Sequence, residues 1–195
     1  MKLLKPKFWS EKNLISVLLS PIALAVQIFN KIREKMLKQN AFRIPIICVG
    51  NIYLGGTGKT PLSITIAQEL IKHKKKPAIV RKFYTNHEDE HNLINNKVEC
   101  LYLGKKRSEA IKDAQNNGCD VAILDDGFQD YSIKKDLNIL CFNSKQLIGN
   151  GMTLPSGPLR EGLNAIRKSN IIVINGVKND LFEKNIYEIS DKVNI

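Results

Sequence analysis

The sequence predicts an α/β fold, a mostly parallel sheet with helices on both faces, and three observations predict it. Short apolar runs of strand length recur between residues 44 and 175, and helical stretches separate them. The first of these runs opens into a glycine-rich loop that leads straight into a helix. Composition agrees with a globular chain: 195 residues, 43% hydrophobic and 25% charged, suffice for one domain or one domain with an appendage. Twelve Gly and seven Pro are too few for a collagen-like or low-complexity chain. A mean hydropathy of -0.19, with a single long apolar run, excludes a multi-pass membrane protein.

That long run is the first element, residues 14–29, LISVLLSPIALAVQIF. Lys7 and Lys12 precede it, and Lys31, Arg33, Lys35 and Lys38 follow. Residues 1–50 carry nine basic side chains and two acidic ones, much of the chain's net +11, so an anionic partner is expected, nucleic acid or a membrane surface. A spanning helix wants about 20 apolar residues, and this run is shorter and contains Pro21 and Gln27. Ala23-Leu24-Ala25 has the A-x-A pattern of a cleaved signal, yet the apolar character continues through Val26, Ile28 and Phe29. A helix packed on its own domain is the plain alternative. The reading adopted is an interfacial helix whose flanking cations meet anionic headgroups.

The second element is the buried-strand run 44–49, IPIICV, followed by Gly50-Asn51-Ile52-Tyr53-Leu54-Gly55-Gly56-Thr57-Gly58-Lys59-Thr60-Pro61. Leu62, Ile64, Ile66, Ala67 and Leu70 then recur at helical spacing. Strand, glycine-rich loop and helix is the setting of a phosphate-binding loop, in which backbone N–H groups and a helix N-terminus surround phosphate oxygens. Candidate nucleotide-binding residues are therefore Tyr53, Leu54, Gly55, Gly56, Thr57, Gly58, Lys59 and Thr60. Lys59 reaches the β- and γ-phosphates of ATP, and Thr60 helps to hold Mg2+. The strict pattern asks for Gly where Tyr53 stands, so Gly55, Gly56 and Gly58 must supply the flexibility. The expected division is a membrane-associating helical segment at 1–40 and a P-loop nucleotide-binding domain at 41–195.

Further strands are expected at 77–81, 98–103, 120–124, 137–142 and 171–175, and helices at 107–117, 159–169 and from 180. Cys48, Cys100, Cys119 and Cys141 form no C-x-x-C pair and mostly lie in or beside apolar runs, as small hydrophobes of a reducing compartment. Asp125-Asp126-Gly127-Phe128-Gln129 follows the run VAIL directly. Carboxylates at the C-terminal end of a buried strand suit Mg2+, so Asp125 and Asp126 join Thr60 as metal candidates. His87-Glu88-Asp89-Glu90-His91 spells the zinc motif H-E-x-x-H but lacks flanking helical periodicity, and no His follows it. Its acids can instead supply a general base, or be a solvated loop. Pro155-Ser156-Gly157-Pro158 sets a turn before Arg160, which can clamp phosphate, and Glu161, which can orient nucleotide or metal; an ordinary charge pair is the alternative.

Taken together the motifs resemble the tetraacyldisaccharide 4'-kinases of lipid A synthesis. Lys5-Pro6-Lys7-Phe8-Trp9, the apolar helix, Val49-Gly50-Asn51, Gly55 to Pro61, Leu124 to Gln129 and Gly157 to Glu161 follow in that family's order across nearly the whole chain. The resemblance implies transfer of the ATP γ-phosphoryl group to the 4'-hydroxyl of an anionic tetraacyl glucosamine disaccharide 1-phosphate. It implies a peripheral place on the cytoplasmic face of the inner membrane and no nucleic-acid partner. It implies that Asp89, of the pair Asp89-Glu90, is the catalytic base, beside Lys59 and Arg160, and it matches the family's Arg-Gly-Tyr segment weakly to Arg81-Lys82-Phe83. Asp130 stands where the family usually has His, and the stretch from Arg81 to Asp89 is shorter than usual. The chain also ends at Ile195, before the family's C-terminal lobe, so a fragment or a truncated product is expected. Two rivals follow: a membrane-attached ATP-binding module without transfer activity, and, more remotely, a zinc hydrolase.

Overall fold

A computed structural model of the chain describes residues 5–83 and 94–195. Six strands are present: β1 (Ile46–Gly50), β2 (Pro77–Lys82), β3 (Leu101–Gly104), β4 (Val121–Asp125), β5 (Leu137–Asn143) and β6 (Ile171–Asn175). They form one sheet in the order β3-β2-β4-β1-β5-β6. The pairs β2–β3, β2–β4 and β1–β4 are parallel. Every residue of β4 is buried, as a continuous apolar run in a parallel sheet requires. The register sets Val49 opposite Asp125 and Val80 opposite Leu124, so the C-terminal ends of β1, β2 and β4 are level. Ligand sites of such sheets gather at that edge.

The chain divides into two compact units. One comprises residues 38–50 and 58–139. In it α3 (Lys59–Lys72) buries Ser63, Ile64 and Ala67, and α4 (Arg107–Asn116) buries Ala110, Ile111 and Ala114. The two helices that precede β1, α1 (Leu14–Leu18) and α2 (Ser20–Met36), belong to the other unit, residues 1–37, 51–57 and 140–195. That unit also holds α5 (Asp180–Ile189), whose N-cap Asn179 accepts a hydrogen bond from the Phe182 N–H. Phe182 meets Phe142 edge-on, with ring centroids 5.2 Å apart.

The apolar run at 14–29 is helical, as α1 and most of α2, but its burial is inverted. Ser16 and Ala23 are buried and Gln27, Asn30 and Glu34 half-buried, while Leu18 is 78% and Met36 80% exposed. Among the described residues no helix is long and apolar enough to cross a membrane.

One expected helix is corrected. Residues 159–162 are not helical, and only a 3-10 turn, Leu163–Lys168, follows. The reason lies in the backbone. Leu159 pairs in bridges with Tyr53 and Thr153, and its carbonyl, which a helix starting there would use for its first internal bond, accepts instead from the Leu154 N–H at 2.8 Å. The strand expected at 98–103 begins only at Leu101. Cys48 and Cys141 are buried as expected, and the thiol of Cys48 is pushed up to about 11 by that burial, whereas Cys100 and Cys119 are only half-buried.

Candidate functional site

In the unit that contains β1, β2 and β4, the chain leaves the phosphate-type loop at Gly58, whose φ of 88° is the left-handed conformation that favours glycine, and enters α3 at Lys59. Thr60, the second residue of α3, donates its hydroxyl to Asp125 Oδ2 at 2.9 Å. Ser63 donates to the other carboxylate oxygen, Oδ1, at 3.2 Å. Arg81, at the end of β2, places Nε 3.4 Å from Asp125 Oδ2. Asp125 is 1% exposed. Burial raises its pKa above the ordinary carboxylate value, and the nearby Arg81 charge and the Thr60 hydrogen bond oppose that rise.

Asp126 takes a different part. Its backbone is left-handed, φ 57°, a conformation that Asp tolerates better than most residues. Its N–H donates to the Val49 carbonyl at 2.9 Å, and Oδ1 lies 3.6 Å from Lys59 Nζ. Arg107 holds the turn from the other side, donating from Nη2 to the Asp126 carbonyl at 2.8 Å and from Nη1 to Asp130 Oδ2 at 3.4 Å. Asp130, the residue that departs from the family pattern, thus serves as counter-charge to Arg107, and the Ser132 hydroxyl donates to its Oδ1 at 2.6 Å. A side chain at Gly50 would collide with Phe128, so the exit of β1 needs glycine for close packing.

The donor set fits a small hard cation. Thr60 Oγ1 and Asp125 Oδ2 are 2.9 Å apart. Adjacent oxygens around Mg2+, bound at about 2.0–2.1 Å in an octahedron, are separated by about 2.9 Å.

In the other unit the first half of the loop is shaped from inside. Buried Asn51 donates through Nδ2 to the Gly55 carbonyl at 3.1 Å and to Thr57 Oγ1 at 3.0 Å. Tyr53 is buried, with Lys5 Nζ 4.6 Å from its ring centroid. Left-handed backbone falls at Gly55 and Gly58, not at Tyr53, which is why glycine is dispensable there. Leu54 N–H donates to the Pro158 carbonyl at 2.8 Å, and Tyr53 bridges Leu159. Gly56 has open space where a side chain would project. Glu161 is buried, and Lys168 Nζ lies 3.5 Å from its Oε2.

Asp89, its neighbour Glu90, and His87 and His91 lie outside the described residues. Ser63 and Arg107 carry no motif and were not anticipated, and Arg81 was matched only weakly. Hydroxyl spacing offered one signal for Ser63: it follows Thr60 by three residues on α3, on the same helical face.

The chain matches the family described as LpxK, tetraacyldisaccharide-1-P 4'-kinase, over residues 15–193. The tetraacyldisaccharide 4'-kinase of Pelagibacter ubique is 44% identical over 199 residues, covering 100% of this chain and 63% of that protein. The tetraacyldisaccharide 4'-kinase of Francisella tularensis subsp. novicida is 34% identical over 196 residues, covering 87% of this chain and 61% of that protein. The chain therefore spans just over three fifths of the length of these relatives. A crystal structure of Aquifex aeolicus LpxK in complex with ATP is similar, with a TM-score of 0.69 and 26% identity over 83% of this chain and 59% of that one. Signal recognition particle 54 kDa protein from Aeropyrum pernix, in complex with GDP, shares the fold at a TM-score of 0.56 and 11% identity, over 88% of this chain and 47% of that one.

Proposed function

The chain belongs to the tetraacyldisaccharide-1-P 4'-kinase family, and on that premise we propose that it contributes an ATP-dependent kinase acting on the 4'-hydroxyl of a tetraacyl glucosamine disaccharide 1-phosphate. The single observation that carries the reading is the cluster at the C-terminal edge of β1, β2 and β4. There Lys59 and Thr60 open a helix beside the Asp125–Arg81 pair and Asp126.

In this reading the 4'-oxygen attacks the γ-phosphorus, the bond to the β,γ-bridging oxygen breaks, and ADP leaves. The ammonium of Lys59 compensates charge on the β- and γ-phosphates, and the α3 N-terminus adds its dipole. Thr60 and Asp125 are the residues that would hold Mg2+, which when bound neutralises charge shared by the phosphate oxygens. Asp126 keeps Lys59 aimed, rather than taking the metal directly. The hydroxyl proton passes to Asp89, the base that the family resemblance implies. Arg160 stabilises charge on the transferring group, and Glu161 orients the nucleotide.

The lipid substrate calls for a chain that stays at a bilayer surface. Helices α1 and α2 leave Leu14, Leu18, Ile22, Ile28, Phe29 and Ile32 more than half or half exposed, and Lys31, Arg33, Lys35 and Lys38 stand beside them. Apolar area together with juxtaposed cations suits peripheral attachment to an anionic leaflet, here the cytoplasmic face of the inner membrane.

Transfer of labelled γ-phosphate to the tetraacyl disaccharide tests the proposal. Wild-type protein is expected to yield labelled lipid, and Lys59→Ala to lower the rate by at least about a hundredfold. ATP binding without any labelled lipid would reduce the chain to a nucleotide-binding module.

A further inference from the structure

The polar stripe of α2 grips its own unit at two points, Thr153 at the start of a turn and Lys168 at the end of the 3-10 segment that follows it. Gln27 Nε2 donates to Thr153 Oγ1 at 2.8 Å. Seven residues along the helix, Glu34 Oε2 accepts from Lys168 Nζ at 2.6 Å, and the same ammonium lies 3.5 Å from Glu161 Oε2. The turn between these grips is tied to the phosphate loop through its backbone, by Leu54 N–H to the Pro158 carbonyl at 2.8 Å and Arg160 N–H to the Ile52 carbonyl at 2.7 Å. An unbroken path therefore runs from α2 through Lys168 and Glu161 to residues 52–54.

An isolated exposed ion pair contributes little. Here one ammonium serves two carboxylates, and one of them, Glu161, is only 9% exposed. Removing the ammonium breaks the tie between Glu34 of α2 and Glu161, and both carboxylates lose an opposite charge. Glu161 and the backbone next to it are then no longer anchored to α2 through Lys168.

We infer that Lys168 is a positioning residue that, by bridging Glu34 of α2 to Glu161, holds the 153–161 turn and the adjoining phosphate loop in the geometry that receives MgATP. The inference rests on the nucleotide reading of the loop. It assigns the inward face of α2 a task separate from its apolar outer face: within its own unit α2 braces residues 52–54 of the loop as well as offering a lipid-facing surface.

Calorimetric titration of MgATP into the full chain tests it, alongside thermal unfolding and the separate KM and kcat for ATP. Lys168→Met is expected to weaken MgATP binding and raise the KM for ATP by about tenfold, with a smaller change in kcat, as for other residues that orient a binding group. Lys168→Arg, which keeps the charge, is expected to bind within about twofold of wild type. Glu34→Gln should fall between the two, and it carries the test if Lys168→Met fails to fold. Unchanged MgATP affinity in Lys168→Met or Glu34→Gln, with only a lower unfolding temperature, would overturn the inference. Equal weakening by Arg and Met at position 168 would overturn it as well. Failure of the wild-type chain to bind MgATP would instead remove the nucleotide reading on which the inference stands.

Discussion

Helix α3 buries Ile64 and Ala67 and leaves Gln68, Glu69 and Lys72 in solvent, whereas α2 buries Ala23 beside half-buried Gln27 and Glu34 and leaves Ile28, Phe29 and Ile32 at least half exposed. Both segments have the composition and spacing of helices. The difference lies in what each helix faces. For α3 the parallel sheet is the apolar partner, so burial follows the hydrophobic effect in its ordinary direction. For α2 the partners are polar, Thr153 and, from the 3-10 segment, Lys168, and so the apolar residues point outward. Contiguous exposed apolar surface on this scale marks an interaction site, not a folding core.

The largest expected effect breaks the comparison at its base. Ile64→Asp would place a carboxylate at a site 4% exposed and is expected to cost more than about 4 kcal/mol, enough to unfold the chain. Phe29→Asp, at a site 66% exposed, is expected to change stability by less than about 0.5 kcal/mol. Thermal unfolding of the two variants checks both. Similar losses would mean that α2 is packed like α3.

A smaller effect concerns pH and sharpens the nucleotide side. Burial raises the Asp125 pKa above its ordinary value of 3.8, so the folded protein holds this proton more tightly than the unfolded one. Stability should therefore be greatest below pH 3.8 as far as this group is concerned, and decline as pH rises through the raised folded value. Mg2+-dependent nucleotide binding needs the ionised form and should run the opposite way, with an acid limb above the ordinary carboxylate range. Asp125→Asn is expected to abolish that limb and to weaken Mg2+-dependent binding by about 10–100-fold, measured by titration across pH.

The smallest effect lies on the membrane side. Lys31→Gln and Arg33→Gln should each weaken sedimentation with anionic vesicles by about fivefold at low salt, since one such charge is worth about 1 kcal/mol. High salt should narrow the difference, because exposed charges are screened. Equal binding by wild type and variants at low salt would assign attachment to the apolar face alone.

Much of this was legible in the sequence, for physical reasons that differ from residue to residue. A buried parallel strand leaves a continuous apolar run, so 120–124 was readable from its pattern; the run at 171–175 also forms a strand, though only Ile172 in it is buried. The phosphate loop was readable because its glycines are demanded by backbone conformation at Gly55 and Gly58. The helix expected at 159–169 failed because Leu159 is held in bridges with Tyr53 and Thr153, which outweigh local spacing. The adjacent acids were recognised as a pair, but their separation into a buried Asp125 and a Lys59-paired Asp126 depends on how β4 ends and on the turn at φ 57°. Arg81 gains its partner only through the β2–β4 register, which no local pattern encodes. The apolar run at 14–29 announced a helix, but not which side of it would face inward.

In the proposed reading the outward face of α2 serves a lipid surface while the edge of the parallel sheet serves the nucleotide. The most direct test is the transfer rate of Phe29→Asp on substrate carried in anionic vesicles, relative to its rate on detergent-dispersed substrate. The vesicle rate is expected to fall by about tenfold or more while the detergent rate stays within about twofold of wild type, because only the surface-attached reaction needs the apolar face. Equal rates for variant and wild type on both substrates would contradict it.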